Sequence, residues 1–229
     1  VALSILYADE HVVAVDKPAG RLVIPGRGAS SERTVQAEAS DELGRLWVVH
    51  RLDRGTSGVL VFARTAAAHR ALNLAFDRRQ VSKRYLALVR GTPAAEARID
   101  VPIAPSRRGR MRPARTGDAR AKPASTVVRL LESSPGRGTL PALALVEAAP
   151  ETGRTHQIRV HLAWAGHPLA VDPDYGDPGP LVDARGAVLL SRTPLHAAEL
   201  ELPHPAHGKA LRISAPMPED MGRVLAAWR

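Results

Sequence analysis

Apolar positions along this chain fall into short runs broken by glycine, proline and charge, and their spacing alternates between a period of two and one near 3.6. Ser4 to Tyr7 and Val12 to Asp16 are apolar runs separated by Asp9-Glu10-His11, which predicts two strands joined by a turn. Lys17-Pro18-Ala19-Gly20 ends the second strand, because proline lacks the donor a ladder needs and glycine permits a sharp turn. Lys17 reads either as a solvated charge or as part of a site. Residues 26–31 read as a flexible loop, and Val35, Ala39 and Leu43 predict a helix over 34–43. Val59 to Ala63 is a buried strand by its unbroken apolar character. Thr65 then stands where a helix N-cap belongs, with Ala68, Leu72, Ala75 and Phe76 at helical spacing and Arg78 and Arg79 in the last turn.

Ser82 to Arg90 alternates as a strand does, with Tyr85 and Ala87 on one side and Leu86 and Leu88 on the other. Residues 105–122 carry Arg107, Arg108, Arg110, Arg112, Arg115 and Arg120 without hydrophobic periodicity, which predicts a basic loop insertion. Two strands follow over 124–131 and 143–149. Ile158, Leu162 and Ala165 predict a short helix capped by Gly166, and 172–176 a turn holding the loop against that helix. Strands over 195–202 and 211–214 precede a final helix with Met221, Leu225 and Trp228 on its apolar side. No repeat or linker divides the chain, so residues 1–229 are expected to form one domain.

Composition narrows the classes. Hydrophobic residues make up 45% and charged residues 24%, as in globular proteins. The net charge of +9 attracts polyanions, nucleic acid first among them. Arginine outnumbers lysine, which suits bidentate phosphate recognition, although a GC-rich genome raises arginine counts as well. The absence of cysteine excludes disulfides, thiolate metal sites and cysteine nucleophiles. No leader-like start and no bilayer-length apolar segment is present, so a soluble, cytoplasmic, monomeric protein is expected.

The stretch His50-Arg51-Leu52-Asp53-Arg54-Gly55-Thr56-Ser57-Gly58 concentrates the candidate chemistry just before the buried strand. Asp53 sits among three basic side chains, and Arg51 and Arg54 favour its ionised form. Such a carboxylate belongs either to a solvated salt-bridge cluster or to a site, where it can orient a partner, bind a metal or attack an electrophile. Tyr85 reads as a packing residue or a ring for stacking on a base. His156 and Arg159, three residues apart, lie on neighbouring faces or on one solvated face.

The string HRLDRGTSGVLVFAR resembles the signature of the RluA-type pseudouridine synthases. DKPAGRLV (16–23), KRYLALVRG (83–91), TGRTHQIRVHLAWAGHPLAVDPDYG (152–176) and LHAAELELPHP (195–205) resemble the family's other blocks, in the family's order. The resemblance implies a mixed α+β fold with a central, largely antiparallel sheet flanked by helices and a cleft across it. It implies an RNA pseudouridine synthase, an isomerase acting on uridines of ribosomal or transfer RNA without cofactor or metal. By the same resemblance Asp53 is the catalytic carboxylate, Tyr85 the active-site tyrosine and Arg159 the arginine paired with Asp53, with Arg154 the alternative or a phosphate ligand. His50, Arg51, Arg54, Thr56, Lys83, Arg84, Arg154 and His156 are the expected substrate-binding residues. The first strand begins almost at Val1, so the small N-terminal RNA-binding domain of many relatives is expected either to be absent or to lie outside this sequence. Two rival readings stand beside this one. A non-catalytic RNA-binding or ribosome-assembly factor explains the charge equally well. A metal-dependent phosphoesterase would draw on His50, Asp53, His156, His161 and Asp172, which match no closed ligand set.

Overall fold

A computed structural model describes residues 3–26, 32–106 and 109–228. Most of the loop expected at 26–31 and the arginines at 107 and 108 lie outside the described residues. The fold is mixed α+β with a largely antiparallel sheet, and its backbone contacts divide it into two compact units, each discontinuous in sequence: Val1–Lys83 with His196–Pro216, and Arg84–Leu195 with Met217–Arg229.

In the first unit, β1 (Ser4–Ala8), β2 (Val12–Lys17), β4 (Ser57–Ala63) and β13 (Leu195–Pro203) lie side by side in that order. β3 (Trp47–Val48) pairs with β4, and β14 (Ala210–Ser214) with β13. All ladders are antiparallel except that of β13 with β4, where His196 faces Ser57 and Ala197 faces Gly58. β4 is buried along its whole length, on both faces, which accounts for its unalternating apolar sequence. Helix α1 (Val35–Leu43) starts at Thr34 and α2 (Ala66–Asp77) at Thr65; each threonine oxygen accepts the N–H three residues on. Ala68, Leu72 and Ala75 of α2 pack on Val59 and Val61, and burying a leucine such as Leu72 contributes about 1.5–3 kcal/mol. Arg78 and Arg79 do not occupy the last turn. Arg78 is the C-cap and Arg79 lies beyond it at φ 57°, a left-handed position that turns the chain toward β5 (Ser82–Arg90).

The second unit holds the ladder of β5, β10 (Leu143–Pro150), β9 (Thr126–Ser134) and β6 (Glu96–Ile99). Helix α3 (Gln157–Trp164) lays Ile158 and Leu162 on Ala87, Val89, Val146 and Ala148, while α4 (Glu219–Trp228) covers Leu88, Leu143 and Leu145 with Met221, Val224, Leu225 and Trp228. Strands β11 (Leu181–Val182) and β12 (Val188–Leu190) form a small separate pair. The basic segment is not wholly a loop. β7 (Ile103–Pro105) and β8 (Met111–Pro113) form a hairpin, anchored by Ile103 against Ala124 and Val160, with Met111 and Tyr175 packed alongside. No described helix is long and apolar enough to cross a membrane.

Candidate active site

Asp53 lies half-buried in the turn that feeds β4, and its carbonyl accepts the Thr56 N–H at 3.1 Å, closing the turn. The turn is pinned from β2. Lys17 is fully buried, and its ammonium donates to the carbonyls of Thr56 (2.7 Å), Pro18 (2.9 Å) and Arg54 (3.2 Å). A lysine in the interior requires such partners, since an unpaired buried charge is expensive. Arg54 adds a second tie: its Nε donates to the Gly20 carbonyl, Gly20 N–H donates to the Arg54 carbonyl, and the exposed guanidinium pairs with Glu32.

The downstream end of the turn is fixed by close packing. Gly58 has φ 107°, and a Cβ there would stand 2.3 Å from the Ala197 carbonyl oxygen, so only glycine lets β13 approach β4. Ser57 is buried against His196, with Oγ 3.0 Å from Nδ1. The other ring nitrogen lies 3.4 Å from the Ala215 carbonyl. Thr56 is buried and its carbonyl holds Lys17, while Arg51 is exposed.

His50 has a structural occupation. Its Nε2 accepts the Val61 N–H at 3.0 Å and its ring stacks on Phe76. Burial, with a smaller contribution from the Lys83 charge, pushes its pKa down to about 3, so the ring is neutral. Burial also lowers the pKa of Lys83.

In the second unit, Tyr85 is half-buried on β5, opposite Ala148, beside the apolar cluster of Val146 and Ile158. Arg84 is exposed and pairs with Glu147 at 2.6 Å. Arg154 donates its Nε to the Pro123 carbonyl at 3.1 Å. Gln157 ties the start of α3 to β9, its amide donating to Ser125 O and Thr126 Oγ1 while its oxygen accepts from Arg154 N and Thr152 Oγ1. His156 is the N-cap of α3 at φ 53°, without a side-chain cap.

Arg159 is buried, and its guanidinium is shared by a bidentate pair with Asp172 (Nε 2.8 Å, Nη2 2.6 Å) and a bond from Nη2 to Asp174 at 2.8 Å. It also lies over the Tyr175 ring, 4.9 Å from the centroid. Asp172 further accepts the N–H groups of Asp174 and Tyr175, so the turn after α3 is organised by the carboxylate that holds Arg159. Burial works to raise the Asp174 carboxyl, but the Arg159 hydrogen bond and the charges of Arg159, Arg110 and His156 outweigh it and leave it below the usual range.

Among the described residues no group of three or more histidines and carboxylates is arranged to hold a metal. His161, one member of the phosphoesterase set, spends its nitrogens on Thr126 Oγ1 and the Val101 carbonyl. Sequence reasoning left the depth of Lys17 undecided and did not foresee the hold of Asp172 and Asp174 on Arg159. The available signal was the family-like DxxYG turn, whose carboxylate is the only charge between Arg159 and Asp174.

Comparison with known proteins places this geometry. Residues 11–164 match the family described as RNA pseudouridylate synthase. The chain is 41% identical over 237 residues to the ribosomal large subunit pseudouridine synthase D of Nitrosomonas europaea, covering all of this chain and 66% of that protein. It is 37% identical to the dual-specificity RNA pseudouridine synthase RluA of Salmonella typhi, covering 93% of each. The chain thus spans just under two thirds of the first relative and nearly all of the second. Among solved structures, human RNA pseudouridylate synthase domain containing 4 superposes with a TM-score of 0.76 at 29% identity, covering 99% of this chain and 93% of that one. Both the Asp53 turn and the helix bearing Arg159 fall inside the matched segment, and the chain belongs to the RNA pseudouridylate synthase family.

Proposed function

We propose that this protein isomerises uridine to pseudouridine in RNA, with ribosomal RNA the favoured substrate and transfer RNA the alternative. The reaction breaks the bond from ribose C1′ to uracil N1, turns the base, and joins C1′ to C5. The C5 proton is lost and N1 gains one, so the product is an isomer and no electrons are exchanged with a cofactor.

The observation that carries the reading is the rigidly held Asp53 turn within the matched family segment, fixed by Lys17 on one side and Gly58 on the other. Rigid support is what a reacting group needs, since catalysis depends on near-attack geometry. Asp53 is assigned the carboxylate role in covalent or acid-base catalysis. Tyr85 offers its ring to the uracil, and Arg159 supplies the guanidinium of the site. Arg51, Arg54, Lys83, Arg84, Arg154 and His156 are assigned to RNA, whose phosphates supply affinity. His50 and Thr56 support the turn. A paired uridine must be extruded first, at a cost of about a few kcal/mol that is smallest in loops.

The test uses transcripts of large-subunit ribosomal RNA and of transfer RNAs made without modification. After incubation with the protein, carbodiimide labelling and primer extension map pseudouridine. New stops are expected with the wild type. Asp53→Asn keeps the shape without the charge and should bind the transcript while product falls by orders of magnitude. Binding without any new stop would favour the non-catalytic RNA-binding reading, and substantial turnover by Asp53→Asn would remove the role given to that carboxylate.

A further inference from the structure

Asp174 and Tyr175 are consecutive residues in the turn after α3, and each reaches in two directions. The Asp174 carboxylate accepts from Arg159 Nη2 at Oδ2 (2.8 Å), and its Oδ1 forms an ion pair with Arg110 Nε at 3.0 Å. The Tyr175 hydroxyl accepts the Met111 N–H at 2.8 Å, while the Arg159 guanidinium lies over its ring. Two adjacent side chains therefore join Arg110 and Met111, in the arginine-rich hairpin, to Arg159 on α3. The hydroxyl also sits 2.8 Å from His156 Nδ1.

The two halves of this network differ in strength. Arg159 and Asp172 are 7% and 0% exposed, so their pair is insulated from competing ions. Arg110 is 50% exposed and Asp174 30%, and an ion pair so placed is worth about 0–1 kcal/mol. A phosphate offers Arg110 an equivalent partner at little cost, whereas it cannot reach the buried pair.

We propose that Asp174 is a positioning residue that couples the arginine-rich hairpin to Arg159: an RNA phosphate takes Arg110, and the carboxylate it leaves is committed to Arg159. Asp172 holds the guanidinium throughout, and Asp174 gives its whole charge to it only while RNA is engaged. The inference rests on the reading of this chain as an RNA uridine isomerase with Arg159 in its site. It assigns Arg110 to the RNA backbone and Tyr175 to the register between hairpin and helix.

The unmodified large-subunit ribosomal RNA transcript is the probe, with binding and the single-turnover rate at saturating protein measured for the wild type, Arg110→Gln, Asp174→Asn, Asp174→Glu and the Arg110→Gln/Asp174→Asn pair. Arg110→Gln should weaken binding severalfold and lower the slope of log affinity against log salt by about one. Asp174→Asn should leave binding within about twofold yet lower the saturating rate about tenfold or more, the size expected from a misplaced group. Asp174→Glu should recover most of that rate, and adding Arg110→Gln to Asp174→Asn should cost binding but no further rate. A wild-type saturating rate in Asp174→Asn would overturn the proposal, as would equal losses of rate and binding in both Asp174 variants.

The Nε resonance of Arg159 gives a readout independent of turnover. It should shift when the transcript binds the wild type and stay in place with Arg110→Gln; a resonance unmoved in both overturns the coupling. If the wild type forms no pseudouridine while this resonance moves as expected, the functional reading fails and the coupling stands.

Discussion

Replacing Lys17 with methionine tests how the Asp53 turn is held. Methionine keeps an unbranched stem of similar volume but removes the ammonium from three carbonyl oxygens. The carbonyl of Arg54 keeps a partner in the Gly20 N–H, so its loss is partial. The carbonyls of Thr56 and Pro18 lose a charged donor; Thr56 is buried, so its deprived acceptor costs about 1–3 kcal/mol, while Pro18 is exposed and water can replace the donor. Relief of the ammonium's own desolvation offsets part of this, since burying a charge costs several kcal/mol. The balance is a loss of about 1–2 kcal/mol, which in a chain of this size lowers the melting temperature by roughly 2–8 °C. Circular dichroism melts measure the total, and amide exchange locates it. Exchange should quicken at Thr56 and its neighbours, whose N–H closes the turn on Asp53, and remain slow along β10. A Lys17→Met protein melting within about 1 °C of the parent, with Thr56 exchange unchanged, would show that the ammonium does not hold the turn.

Two further perturbations separate backbone from electrostatic support. Gly58→Ala puts a methyl group 2.3 Å from the Ala197 oxygen at a positive φ and should cost more than about 3 kcal/mol, whereas Gly153→Ala, with nothing within 4 Å, should stay within about 0.5 kcal/mol; urea midpoints compare them. For pH, His50 is held neutral with a pKa near 3, below the unfolded value of about 6.5. The unfolded chain therefore takes up the proton first, so this contribution is complete above about pH 6.5 and declines by up to about 1.4 kcal/mol per pH unit as pH falls toward 3. His50→Gln, which can still accept the Val61 N–H but does not titrate, should flatten the decline between pH 6 and 4. Equal slopes for the two proteins in urea melts would contradict that assignment.

What the sequence disclosed follows from how local each cause is. The caps at Thr34 and Thr65 act within three residues, and the unbroken run into β4 reflects burial on both faces, so both were legible. The hairpin of β7 and β8 was not, because its arginines hide an alternation anchored by Ile103 and Met111 alone. Arg78 and Arg79 suit a helix end, yet the helix stops one residue earlier with a left-handed turn no pattern announced. Lys17 went undecided because a lysine is normally solvated, and only the carbonyls converging from 37 and 39 residues away make its burial tolerable. Asp172 and Asp174 reach Arg159 across the turn after α3, a relation that spacing alone does not encode.

The parallel ladder of β13 with β4 sets a schedule for biosynthesis. Residues up to Lys83 emerge first, but the strand that lies against Gly58 and the ring that takes Ser57 arrive only after Arg84–Leu195 has been translated, a wait on the order of ten seconds. Until then β4 has β2 on one edge and β3 at Phe62 and Ala63 on the other, and its Ser57–Gly58 end is left open to other chains. Ribosome stalling or a stop codon shortly before His196 should therefore yield an aggregation-prone product, in which the end of β4 next to Asp53 lacks β13 and the second unit lacks the cover of α4.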